Sequence, residues 1–389
     1  MTADLNEPVI EELFQNRPTG VEAEKEDDLA QVNTSVDKPW NPDEIRVTTK
    51  QFSLRHILDL IDYGDLELAP DFQRAKVWKV TQKSRLIESI LLQIPLPAFY
   101  FAEDTDGQMR VVDGLQRLST VHDFVRGGAE NRFPLEGLEY LSAQMNLHHD
   151  QLPPVWQRRI SNTQIVAHVI DPATPNGVKY DIFKRINTGG TPLNAQEIRH
   201  CMSTDRSRNY LKSLVNLPEF QMATGEKLKN HIRMDDREVA LRFSAFWMAG
   251  GTREYRSYRG MDEFLDTATE KLDRPDIVSD AMLDEMRKKF RQAMKNCHTV
   301  FGPHAFRKWP QGVETLKPLN RPLFEVWSVE LSHFSTRDVE RRKDDIVSEA
   351  RRLMTMDLRY VDAITSSTGT AARVEYRFQE TKNAAGVGR

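Results

Sequence analysis

Five consecutive residues, Asp113-Gly114-Leu115-Gln116-Arg117, combine a carboxylate, an amide and a guanidinium where an apolar strand-like run, MRVVD, gives way to a helical pattern. A carboxylate there can hold a metal ion or orient a water, and a guanidinium offers a fork of donors that matches phosphate oxygens. Backbone N–H groups at a helix start have no intrahelical partner and carry the positive end of the dipole, which favours an anion. Asp113 and Arg117 are four apart and Asp113 and Gln116 three apart, so these side chains can share one face while Leu118, Val121 and Val125 turn to the core. The same spacing has a second reading. Asp113 as N-cap with Gln116 at the third helical position has the form of a capping box, and both readings can hold at once.

Two further segments carry candidate residues. Gln73 and Arg74 end the strand-like run LAPDFQR, which by itself reads equally as a solvated turn with Phe72 packed inward. In Phe183–Gly190, Phe183 and Ile186 have core-facing spacing, and Asn187 followed by Gly189 and Gly190 suits a helix C-cap and a tight loop. Two glycines also let a backbone approach a phosphate closely. Asn194 with Glu197 repeats the capping-box pattern. No GxxxxGK[ST], HExxH or paired Cys-x-x-Cys occurs, so neither a P-loop nor a common zinc motif is present. Cys201 and Cys297 read as buried small residues. His148-His149 reads as a solvated loop, and His298 and His304 flank a Gly-Pro turn.

The elements that must position these residues follow from periodicity. Ser53 caps a helix bearing Leu54, Ile57, Leu58 and Ile61, and Gly64 ends it. LELAP is a short strand, and a helix around Gln82–Leu92 turns Leu86, Ile87, Ile90 and Leu91 inward. AFYFAED and MRVVD are strands joined at Asp106-Gly107, a hairpin signal. The helix LQRLSTVHDFV, the strand TQIVAHVI and the helix LNAQEIRHCM complete a mixed α/β (α+β) domain over 46–200. Beyond 200, REVALRFSAFWMA, MDEFLDTATEKL and AMLDEMRKKFRQAMKN are amphipathic runs that predict an all-helical domain over 201–364. Residues 1–45, acidic as in EAEKEDD, are expected to form a disordered arm. Residues 365–389 are expected to be a short tail around a strand-like RVEYRF.

With 389 residues the chain is long enough for two domains, and a net charge of −4 counts against bulk electrostatic binding to nucleic acid. No run approaches the length of a membrane span and no basic-then-apolar leader is evident, so no membrane association and a cytoplasmic location are expected.

Taken in order, Gln73-Arg74, then Asp113 to Arg117 as DGxQR, then Phe183 to Gly190 as FxxIN with glycine, resemble the GmrSD N-terminal family, also known as a domain of unknown function. LAPDFQRAKVW and RLIESILLQIPLPAFYF fit it too, and the resemblance covers about residues 45–200. RMDDREVALRFSAF at 233–246 looks like the same family's continuation. The resemblance implies a ParB/sulfiredoxin-like fold that binds a nucleoside triphosphate and, in several members, hydrolyses it, with Mg²⁺. Carried over by position, Asp113, Gln116 and Arg117 form the catalytic centre, with Asp113 as metal ligand. Gln73, Arg74, Gly114, Asn187, Gly189 and Gly190 are the nucleotide-binding set. The family's usual motif is DGQQR, and here Leu115 replaces the first glutamine. If that glutamine contacts nucleotide or water, turnover is weakened; if it packs, leucine is a harmless change. The nuclease half of fused relatives is not evident, so a separate protein partner or effector nuclease is expected in a restriction or anti-phage system. The alternative is a ParB-like DNA-binding or regulatory module without turnover. In it Arg158, Arg159, Lys184 and Arg185 contact phosphates, although the four equally suit a solvated face.

Overall fold

The computed structural model describes residues 9–14, 16–24, 45–68, 78–104, 106–186 and 193–386. They divide into two compact units, one within residues 38–202 and the other combining residues of 1–37 with those of 203–389. The N-terminal part is mixed α/β and the C-terminal part is largely helical.

The first elements among the described residues are a hairpin, β1 (Glu11–Phe14) and β2 (Arg17–Glu22), that belongs to the helical unit. The α/β unit follows as β3 (Val47–Ser53), α1 (Leu54–Tyr63), β4 (Leu66–Glu67), α2 (Val80–Leu91), β5 (Phe99–Glu103), β6 (Met109–Asp113), α3 (Leu115–Arg126), α4 (Pro154–Asn162), β7 (Gln164–Ile170), α5 (Asn176–Ile186) and α6 (Ala195–Met202). Among the described residues, its strands form one sheet in the order β3-β7-β5-β6-β4. The β3/β7 and β5/β6 pairs are antiparallel, while β5/β7 and β4/β6 are parallel. Alternation sends Phe99, Phe101, Val111, Ala167 and Val169 into a core shared with Leu118, Val121 and Phe124 of α3. Ser53 accepts the His56 N–H at 3.3 Å to cap α1. Gly64 closes α1 in the left-handed region at φ 82°. Asn194 and Glu197 exchange side-chain-to-backbone hydrogen bonds, both 2.8 Å, at the start of α6.

The helical unit continues as α7 (Asp205–Val215), α8 (Pro218–Thr224), α9 (Asp235–Met248), α10 (Met261–Asp273), α11 (Asp280–Phe301), α12 (Arg321–Leu331), α13 (Thr336–Arg341), α14 (Lys343–Met356), α15 (Leu358–Ala363) and α16 (Ala371–Ala385). The long α11 packs against α8, α12 and α14. Phe220, Phe243, Phe290 and Phe324 interlock at the centre with ring centroids 5.0–6.3 Å apart. Among the described residues no helix is long and apolar enough to cross a membrane.

Three expectations need correction. The acidic start is not structureless over residues 9–14 and 16–24. Val21 and Phe14 are buried, and the Glu22 N–H donates to the Leu319 carbonyl at 2.7 Å. Its acids pair with cations of the helical unit, Glu22 with Lys308 at 2.6 Å and Glu12 with Arg321 at 2.9 Å. RVEYRF is not a strand but the middle of α16. Val, Tyr and Phe alternate there, while Val374 and Phe378 also satisfy the helical period. The buried Arg377 disguised that face because a charged residue at a core position reads as solvent-facing. His148 and His149 are half-buried rather than solvated, and the His149 ring sits edge-on to Phe124 at 5.7 Å.

Candidate functional site

The DGxQR segment is built by the exit of β6 into α3. Tyr100 of β5 pairs opposite Asp113, and the register shifts by a bulge between Tyr100 and Phe101, so the ladder ends irregularly at the carboxylate. Asp113 is therefore the last strand residue, and Gly114, not Asp113, occupies the N-cap of α3 without any side-chain cap. The capping-box reading of Asp113 and Gln116 is thus corrected. Gly114 sits at φ 97°, and a Cβ there would lie 2.2 Å from Cδ1 of Phe99. Only glycine meets both the left-handed backbone and the close approach of β5.

Freed from capping, the Asp113 carboxylate takes an ion pair with Arg117, Oδ2 to Nη2 at 2.9 Å. Asp113 keeps 36% of its side chain exposed, against 13% for Arg117. Nη2 of Arg117 also donates to the Ala98 carbonyl at 3.2 Å and Nη1 to that of Pro97, while the guanidinium lies 4.2 Å over the Phe99 ring. Burial pulls the Arg117 pKa below its ordinary value, and Asp113 works against that pull. Arg117 thus clamps the start of β5 to α3 and fixes one oxygen of Asp113, leaving the other oxygen without a hydrogen-bond partner among the described residues.

The first backbone hydrogen bond of α3 runs from the Leu118 N–H to the Gly114 carbonyl at 2.9 Å. The N–H groups of Leu115, Gln116 and Arg117 have no partner among the described residues, the arrangement that receives an anion. The Gln116 amide is half-buried and makes no hydrogen bond among them either, its backbone carbonyl accepting Thr120 Oγ1 at 2.7 Å. Leu115 packs against the α/β core. Among the described residues no group of three His, Cys, Asp or Glu side chains could hold a metal. A single half-exposed carboxylate still fits Mg²⁺, which is commonly held by one or two carboxylates together with substrate phosphates and waters.

Gln73, Arg74, Asn187, Gly189 and Gly190 lie outside the described residues, as does the side chain of Lys184. Of the other candidate phosphate contacts, Arg158 and Arg185 are exposed. Arg159 is engaged structurally, donating to the Leu91 carbonyl at 2.8 Å and lying 4.6 Å over Trp156.

Two charged groups of this unit escaped the sequence reading. Arg110 is buried on β6, where Nε meets Glu67 at 3.1 Å and the guanidinium also pairs with Asp104 and the Met202 carbonyl. The signal was available, because an arginine inside the run MRVVD interrupts a strand buried on both faces. Glu88 of α2 accepts the N–H groups of Glu139, Tyr140 and Leu141 at 3.0, 2.7 and 2.8 Å. Burial would raise its pKa, but these three donors and Arg85 hold it below the ordinary value. No spacing in the sequence announces that contact, since its partners lie some fifty residues away in an irregular loop.

Residues 54–203, from the start of α1 through α6, match the family described as the N-terminal domain of GmrSD restriction endonuclease. No curated protein matches the chain.

Proposed function

We propose that the α/β unit is a ParB/sulfiredoxin-like domain that binds a nucleoside triphosphate with Mg²⁺ and hydrolyses it. The setting would be the cytoplasm, in a bacterial restriction or anti-phage system where the protein acts with an effector nuclease. The observation that carries this is the Asp113–Arg117 pair beside the unpaired N–H groups of α3, inside the segment that matches a restriction-endonuclease domain. The N–H groups of Leu115, Gln116 and Arg117 receive a phosphate oxygen. Arg117, donating to Asp113 and to the Pro97 and Ala98 carbonyls just before β5, acts as a positioning residue. Gln116, with its amide uncommitted, orients the attacking water or the phosphate. Mg²⁺, when bound with the triphosphate, supplies charge that neutralises the phosphate oxygens, and Asp113 is the carboxylate to hold it. Leu115 packs against the α/β core, which supports a packing role for that position of the motif.

The test is nucleotide binding and hydrolysis with Mg²⁺ for all four ribonucleoside triphosphates, on the wild type and on Asp113→Asn, Gln116→Ala and Arg117→Lys. Turnover that falls by about 10²-fold or more in Asp113→Asn, with binding retained, is the expected result. Binding without turnover in the wild type indicates a nucleotide-gated regulatory module. Neither binding nor turnover with any nucleotide defeats the proposal.

A further inference from the structure

A second candidate site lies wholly within the helical unit and does not depend on the function proposed above. Residues of α9, α11, α12 and α16, with the Gly250–Arg253 segment after α9, enclose an open cleft of about 650 Å³. That falls within the range of small-molecule sites, roughly 300–1,000 Å³. Phe246, Trp247, Val329 and Phe378 supply its apolar lining.

The polar lining is what sets this cleft apart. Lys289, Lys382 and Arg253 line it, and none has a carboxylate partner among the described residues. Of the two acids on the lining, Glu375 is taken by Arg256. The other, Glu330, is only 7% exposed, and its carboxyl makes no hydrogen bond or ion pair among the described residues. A buried carboxyl with no partner is costly as an anion and is accommodated by staying protonated. Burial pushes Glu330 up to about 7, against the pull of Lys382. Desolvation, then Lys289 and Lys382, holds the His333 imidazole below its ordinary value. Just below neutral pH the cleft therefore presents three cations without carboxylate partners, a neutral imidazole and a carboxylic acid able to donate a hydrogen bond.

We propose that this cleft binds a small organic anion, its phosphate or carboxylate head on Lys289 and Lys382 and its flat body against Trp247, with Glu330 donating to it. As pH rises through neutrality Glu330 loses its proton, adds a negative charge and stops donating. Affinity therefore falls between pH 6 and pH 8.

The test is isothermal titration of the full chain with adenosine monophosphate as the phosphate probe, 2-naphthoate as the carboxylate probe and inorganic phosphate as the head alone. One of the two organic probes should bind with unit stoichiometry and weaken at least tenfold in the Lys289→Ala/Lys382→Ala double variant. Glu330→Gln should bind at pH 8 as it does at pH 6. The Lys289→Ala/Lys382→Ala variant leaves the α/β unit unaltered, so a loss in that variant separates this cleft from a nucleotide site in the α/β unit. The exposed Arg253→Glu provides the same comparison should the double variant lose its thermal transition. Absence of saturable binding by both organic probes would overturn the proposal. So would binding that survives both cleft variants, and inorganic phosphate binding as tightly as either probe would remove the role of the flat body.

Discussion

Arginines meet carboxylates in both units, but on opposite terms. In the helical unit Glu325, fully buried, takes Arg377 on one oxygen, Nε at 2.7 Å, and Arg242 on the other at 3.1 Å. Arg377 spends its remaining donors on the Ala363 and Thr368 carbonyls. Burial works against the charge on Arg242, and Glu238, Glu24 and Glu325 more than offset it, so its pKa is raised. In the α/β unit Asp113 meets one arginine, stays half-exposed and keeps an oxygen free of protein partners among the described residues. The first arrangement is saturated, so its charges stabilise only each other. The second holds an oriented carboxylate with spare capacity at a helix start, which is what a phosphate-handling site needs.

The largest effect that would break this contrast is expected at Arg377. Arg377→Met leaves Glu325 buried with half its partners, and about 3–5 kcal/mol should be lost. Urea unfolding gives the magnitude, and hydrogen exchange should localise the lost protection to α12 and α16. A loss below 1 kcal/mol would mean that this cluster is as replaceable as a surface pair. Gly114→Ala should cost about 2–4 kcal/mol in the α/β unit, from left-handed strain plus the clash with Phe99. Exchange protection should fall in β5 and α3, with α11 unaffected.

Glu88→Ala should cost about 1–3 kcal/mol by orphaning three N–H groups. The wild type adds a pH signature. The Glu88 pKa is depressed in the folded state, so its contribution is fully present above the unfolded carboxyl value and is lost as pH falls through the lower folded one. Urea midpoints measured from pH 6 down to pH 3 should decline more steeply in the wild type than in Glu88→Gln. The smallest effect is expected for Leu115→Gln. It exchanges a partly buried apolar contact for an amide at a cost of about 1 kcal/mol or less, with no gain in nucleotide turnover. A large gain would show that the leucine had displaced a ligand group, and would make the two units less different than their charges suggest.

Much of this protein was determined locally. Ser53 and Gly64 bound α1 because a hydroxyl acceptor and a glycine suit those two ends whatever lies around them. The alternation of β5, and the strand-to-helix passage at Asp113–Arg117, likewise depend on residues within one turn or one pleat of each other. Other features had no local cause. Asp113 could have capped α3, and it pairs with Arg117 instead because the approach of Phe99 makes Gly114 the cap. The N-terminal acids are ordered because Lys308, Arg321 and Arg242, some two to three hundred residues away, need counter-charges. Arg377 can sit on the buried face of α16 because Glu325 neutralises it inside the core. Caps and periodicity are short-range and can be read from neighbouring residues. The fate of a charge depends on its solvent and its partner, and only the tertiary structure decides both.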